Sequence, residues 1–205
     1  LEIVAAYAST FSFYFDGSSY MQASRSSDLE PSNVTVSTWF KGGAQAAQNT
    51  YLISKVANTG FKGYGLYTGA TTNKLVFFIW NGSSWISTPL AGTGVVMDNN
   101  WHHAAATFDG TNLKLYVDDS LYSSNTSSSG IIYNGGDLFI GARDSNSLYF
   151  NGYIDEVSIW NTALGTDAIT EIFNEQEDGS GKPNGLTSLT NASSSNLVAW
   201  YKMGE

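Results

Sequence analysis

Apolar and polar residues alternate in short runs along most of the chain, and each run ends in a cluster of Gly, Asn, Asp or Ser. "FSFYF", "NVTVSTWF", "TYLISKV", "GYGLYT", "KLVFFIW", "WHHAAATF", "LKLYV", "DLFIGA", "YIDEVSIW" and "LVAWYKM" all follow this pattern. Period-two alternation at such spacing predicts short antiparallel strands in an all-β sandwich or barrel. The clearest unit is "WHHAAATFDGTNLKLYVDDSLYSS", where "DGTN" and "DDS" supply turn chemistry between alternating strands. It predicts a three-stranded meander with Leu113, Leu115 and Val117 on its apolar face. The period changes once, at "TDAITEIF". Thr166 can cap a short helix there, Asp167 suits its positive end, and Ile169, Ile172 and Phe173 form an apolar stripe. "NEQEDGSGKPNG" then reads as a polar connector, and "LVAWYKMGE" as one more strand.

"FNGYIDEVSIWNTALG" poses a problem. Strict alternation puts Tyr153, Asp155, Val157 and Ile159 on one face of a strand and Ile154, Glu156, Ser158 and Trp160 on the other. Both faces are partly apolar, so an inward Asp155 needs a base, backbone amides or a metal ion as partner, because a buried unpaired charge costs several kcal/mol or takes up a proton.

A chain of 205 residues with no cysteine can bury a full core without disulfides. Nine basic against eighteen acidic residues give a net charge of -9, which argues against nucleic acid, whose binding rests on clustered Lys and Arg. Charged residues make up only 13%, so solubility rests on hydroxyls and amides, a surface suited to extracellular work and sugar contact. No apolar run approaches the eighteen or so residues that span a bilayer, so membrane insertion is not expected. The chain starts at Leu1, and "LEIVAAYA" lacks the basic start of a signal peptide, so the sequence reads as a piece of a longer polypeptide or its processed form.

The ordered string "FYFDGSSYM", "VTVSTWFK", "LISKV", "GYGLYT", "KLVFFIW", "WHHAAATFDGTNLKLYVDD", "GDLFIGAR" and "YFNGYIDEVSIWNTALGTDAI" resembles the laminin-G-like jelly-roll domains of the concanavalin A-like lectin/glucanase superfamily, over about residues 11 to 174. The resemblance implies an antiparallel two-sheet jelly-roll sandwich with one short helix near the C-terminal end. Residues 1–174 would form that domain, and 175–205 a polar linker and a final strand that either completes the sandwich or begins a following module. Many relatives hold a structural Ca²⁺ between the "FDG" turn and the "IDE" strand. Carried over by position, this makes Asp16 and Asp155 carboxylate ligands and Gly17 a backbone ligand, with carbonyls and water completing six to eight oxygens. The competing reading has Asp16 stabilise a turn and Asp155 pair with a base such as Arg143.

Other chemistry is thin. A glycosidase needs two carboxylates about 5 to 9 Å apart, whereas Asp155 and Glu156, like Asp118 and Asp119, are neighbours that point apart. His102 and His103 also face opposite sides and read as structural. Phosphate loops, nucleophile elbows and HExxH helices are missing from the sequence. Sequons at Asn33, Asn81, Asn125 and Asn191 are what a Ser- and Asn-rich chain yields by chance. Aromatics reach 14%, and their rings stack on the CH faces of sugars, so Tyr64, Tyr67, Trp80 and Trp85 are the expected ligand platform. Trp39, Trp101 and Trp160 lie in strongly patterned strands and are expected to pack. These features predict a non-catalytic glycan-recognition or adhesion module on a surface-exposed protein, outside a cell or on a virion. The alternative is a structural virion, fibre or surface-assembly domain whose partner is another subunit.

Overall fold

The computed structural model describes residues 12–45, 49–56, 60, 62–69, 73–89, 96–145, 147–176 and 189–203. Among these described residues, thirteen strands follow the alternation and one α-helix follows the change of period. They are β1 (Phe13–Asp16), β2 (Met21–Ala23), β3 (Val34–Lys41), β4 (Thr50–Val56), β5 (Gly63–Thr68), β6 (Leu75–Trp80), β7 (Trp85–Ser87), β8 (Trp101–Phe108), β9 (Asn112–Val117), β10 (Ser120–Thr126), β11 (Leu138–Ile140), β12 (Asn151–Trp160), α1 (Thr166–Gln176) and β13 (Leu197–Tyr201). A seven-stranded sheet runs β1-β12-β3-β8-β9-β10, with β13 also on β12, and a six-stranded sheet runs β2-β11-β4-β5-β6-β7. Every named strand pairing is antiparallel. This is the expected jelly-roll sandwich. Among the described residues no helix is long and apolar enough to cross a membrane.

Alternation decides what lies between the sheets. Val34, Val36 and Phe40 of β3 and Leu113, Leu115 and Val117 of the meander meet Leu66, Phe77 and Ile79 of the second sheet in one buried cluster. The outward positions of β3 and β8 include the small Ser37 and Ala105 beside Trp39 and His103, and α1 packs over that face. Its Ile169 and Ile172 are fully buried against Trp160, Ala105 and Tyr116. Thr35 anchors the approach to the helix, donating to the Thr162 carbonyl at 2.7 Å and accepting from the Leu164 amide at 2.9 Å. The Gly165 carbonyl accepts from the Ile169 amide, so the first helical hydrogen bond starts one residue before Thr166.

β13 lies in the sandwich, on the Val157–Trp160 half of β12, while β1 occupies the Asn151–Ile154 half. The connector before it falls largely in 177–188 and, with "LEIVAAYA", lies outside the described residues.

The Asp155 problem resolves through a bulge. The pairing of β12 with β3 shifts between Asp155 and Ser158, and Glu156 takes a positive φ of 50°. The inserted residue reverses parity. Ile154, Val157 and Ile159 therefore all enter the core, and Asp155 does not share their face, contrary to strict alternation. The Asp155 carbonyl freed by the bulge accepts from the Thr38 hydroxyl at 3.0 Å. Its carboxylate accepts from the Glu156 amide at 2.8 Å, and Glu156 in turn accepts from the Trp200 indole of β13.

Candidate functional site

The outward face of the six-stranded sheet carries rings where the core face carries aliphatics. In β5, Gly65 and Tyr67 point outward while Tyr64 and Leu66 enter the core; in β6, Phe78 points outward between Phe77 and Ile79. Gly65 is required by close approach, since a Cβ there would lie 2.7 Å from the Phe78 ring of the adjacent strand. Tyr51 of β4 joins the same face because the register shifts between Tyr51 and Ile53, which sends both Leu52 and Ile53 inward. The rings make a continuous chain. Tyr51 stacks on Tyr67 at 5.2 Å, Tyr67 lies 5.7 Å from Phe78, Phe78 meets Trp85 edge-on at 4.9 Å, and Trp85 meets Trp80 at 5.2 Å.

Tyr51, Tyr67, Phe78 and Trp85 floor a hollow of about 280 Å³, completed by Asn49, Val56, Ser87 and Arg143. Trp85 is 42% exposed at its rim. Burial, with a smaller contribution from Tyr67, pushes the Tyr51 phenol up to about 12, and burial also raises Tyr67. Both are therefore hydroxyl donors throughout the neutral range. Arg143 Nε bonds Asp144 at 2.9 Å, Asp144 accepts from Ser147 at 2.9 Å, and the Arg143 carbonyl accepts from Ser54 at 2.7 Å, so the guanidinium is held rigidly beside the rings. Among the described residues no Asp or Glu lines the hollow. Its described lining offers ring faces, phenols, an amide and a guanidinium, groups suited to binding.

Two of the expected ligand residues, Tyr67 and Trp85, line the hollow, and Trp80 stands behind Trp85. Tyr64 does not belong to it. Three residues from Tyr67, it faces the core, is fully buried, and donates to the Leu29 carbonyl at 3.3 Å. Parity along β6 from Trp80 would have found Phe78, and the bulge hid Tyr51. Arg143 enters from the segment after β11 and has no local sequence signal.

The expected calcium ligands do not converge. Asp16 is opposite Asn151, four residues before Asp155 on β12, which separates the two backbones by roughly 13 Å. Asp16 stabilises its own turn: it accepts from the Ser18 hydroxyl and the Ser18 and Ser19 amides at 2.9 Å, bonds that hold its carboxyl down at about 2. Gly17, at φ +81°, supplies the left-handed residue of that turn. Among the described residues no group of three His, Asp or Glu is placed to hold a metal.

Residues 9–170 match the Laminin_G_3 family, described as the concanavalin A-like lectin/glucanases superfamily. The chain belongs to this family. No curated protein matches it. Solved structures resemble this laminin-G-like domain at low identity. A carbohydrate-binding candidate from Bacteroides ovatus superposes with a TM-score of 0.68 at 16% identity, over 95% of this chain and 52% of the other. This domain thus spans about half of that protein. Domain 4 of an extracellular GH43 arabinanase from Geobacillus stearothermophilus, solved with arabinotriose, gives 0.61 at 17% identity over 78% of this chain and 75% of the other. The CBM40 domain of the Ruminococcus gnavus IT-sialidase gives 0.61 at 14% identity, over 77% and 94%.

The adjacent histidines of this laminin-G-like domain face opposite sides, as alternation predicts, and titrate in opposite directions. His102 lies between Asp118 at 2.7 Å and Asp98 at 3.1 Å, and its bond to Asp118 raises its pKa. His103 is fully buried beside Ser37, and desolvation lowers it to about 4. The charge on His102 stabilises the fold below pH 6.5, and that contribution is lost as pH rises through the raised value. For His103 the contribution is full above 6.5 and is lost as pH falls toward about 4. Imidazole proton shifts followed by NMR should show His102 titrating above 6.5 and His103 remaining neutral down to about pH 4.

Proposed function

We propose that the domain is a non-catalytic saccharide-recognition module of a protein exposed outside a cell or on a virion. The ring-floored hollow carries this reading. A pyranose or furanose laid in it places its CH face against Tyr67 and Trp85, while its hydroxyls reach the phenol of Tyr51, the amide of Asn49 and the guanidinium of Arg143. The arabinotriose complex of the arabinanase domain supports a saccharide ligand, and the low share of charged residues suits hydrated glycan surfaces. Calcium shared by Asp16 and Asp155 has no part in the reading.

The test is a glycan array followed by titration of the best ligand. Trp85→Ala should weaken binding about tenfold, equivalent to about 1.4 kcal/mol, in keeping with the loss of a stacked ring. Its melting temperature should stay close to that of the wild type. An array without reproducible hits, together with concentration-dependent assembly, would replace this reading with the structural one.

A further inference from the structure

The seven-stranded sheet carries a second set of rings, on the opposite outer face of the sandwich. Tyr14 is registered against Tyr153, Tyr153 against Lys41, and Lys41 against Trp101. These residues form one straight line across β1, β12, β3 and β8, roughly 14 Å long at the usual strand spacing. Tyr14 is 52% and Tyr153 39% exposed, with ring centres 5.0 Å apart; Trp101, half-buried rather than packed inside, lies 6.2 Å from Tyr153 across Lys41. The next line of the sheet, Asp155, Trp39 and His103, is closed by Phe173 of α1, stacked on Trp39 at 5.5 Å and 15°. Among the described residues, ring cover from the helix reaches one line and leaves Tyr14 and Tyr153 of the other exposed.

We propose that this line is a second saccharide platform, taking an extended oligosaccharide laid across the strands. The strip is open and three rings long, with Tyr153 tilted 48° to Tyr14 and 52° to Trp101, so it suits successive, mutually rotated sugar faces rather than one enclosed residue. Polar handles flank it: the Tyr14 hydroxyl, which donates to Asn151 at 3.2 Å, the exposed Asn151 itself, and the ammonium of Lys41. A stable protein partner needs about 800 Å² and 20–30 residues on each side, far more than this line provides. Nucleic acid would bring phosphates against a chain of net charge -9. The platform does not depend on the hollow, from which it is separated by the thickness of the sandwich.

The experiment is co-sedimentation with insoluble cellulose, chitin, xylan and arabinan, and titration with soluble hexasaccharides of the same sugars. Wild type is compared with Trp85→Ala, Trp101→Ala and Tyr14→Ala; the last, on a solvent-exposed edge, leaves the fold undisturbed. The expected result is a probe that Trp85→Ala still binds and that Trp101→Ala and Tyr14→Ala bind at least fivefold more weakly, with unchanged melting temperatures. If Trp85→Ala abolishes all binding, or the line variants match wild type on every probe, the platform is overturned and the hollow stands. If a concentration-dependent dimer disappears in the line variants, the platform is overturned and the line is a self-contact. If wild type binds no probe, both readings fall.

Discussion

Glu30→Ala is expected to cost about 3–5 kcal/mol, the usual penalty for stripping one partner from a buried ion pair, and to lower the melting temperature by roughly 10 °C. The Lys55 side chain on β4 is 1% exposed, and its ammonium bonds Glu30 at 2.9 Å and the Gly136 carbonyl, with the Tyr133 ring 5.8 Å away. Tyr133 and Tyr64 donate to the carbonyls of Pro31 and Leu29, so the segment bearing Glu30 is tied into this end of the sandwich. Without Glu30 the ammonium is left in a desolvated site with one carbonyl. Lys55→Met should cost less, because Glu30 keeps Arg25 and some solvent. Arg25→Ala should cost under about 1 kcal/mol, since Arg25 is 59% exposed. The carboxyl adds an acid limb. Burial pushes Glu30 up, but the hydrogen bonds and charges of Arg25 and Lys55 outweigh it and hold the group below 4.5. Its contribution is therefore complete above pH 4.5 and lost as pH falls through the lowered value. Urea melts at pH 7 and in acid check both points: Glu30→Gln should be destabilised at pH 7 and should lose less than wild type on acidification. Equal losses in the two proteins would remove the pair from the account.

Periodicity alone made the strands, the meander and the helix legible, because a half-buried strand repeats its apolar residues every second position and a helix every third or fourth. The failures have one physical source. A bulge adds a residue without any required residue type, so the Tyr51–Ile53 and Asp155–Ser158 shifts were invisible, and with them the true faces of Tyr51 and Asp155. Tyr64 was different: three residues from Tyr67, it must face the opposite side of β5, so the two were readable as unable to share a platform, and the structure puts Tyr64 in the core. The carry-over of calcium ligands needed register, which sequence order does not contain. In the structure Asp16 is set against Asn151 and its carboxylate accepts from the residues of its own turn. The hollow was half legible for the same reason. Trp85 and Tyr67 lie in recognisable strands, whereas Arg143 reaches it from a segment placed only by the packing of β11 on β4.

That segment gives the second large effect. Gly141 sits at φ +81°, and a Cβ on it would run into the ring of Phe15, which is fully buried. Gly141→Ala is expected to lose roughly 2–5 kcal/mol, about 1–2 from the left-handed backbone and about 1–3 from overpacking. The backbone cannot easily yield, because the Gly141 amide donates to the Leu52 carbonyl at 3.0 Å and its carbonyl accepts from the Phe150 amide at 2.8 Å. Any shift that relieves the ring is passed two residues on to Arg143, whose carbonyl is held by Ser54 at 2.7 Å. On the proposed function, saccharide affinity at the hollow should therefore fall along with stability, although Gly141 does not line it. Gly130→Ala, where a Cβ meets nothing within 4 Å, should change neither. The decisive comparison is Phe15→Leu combined with Gly141→Ala. A smaller side chain removes the clash but not the backbone strain, so the double variant should be more stable than the sum of the single losses by about 0.5–3 kcal/mol, the coupling expected of residues in contact. Simple additivity would show that the loss at Gly141 is all backbone, and that Phe15 plays no part in positioning Arg143.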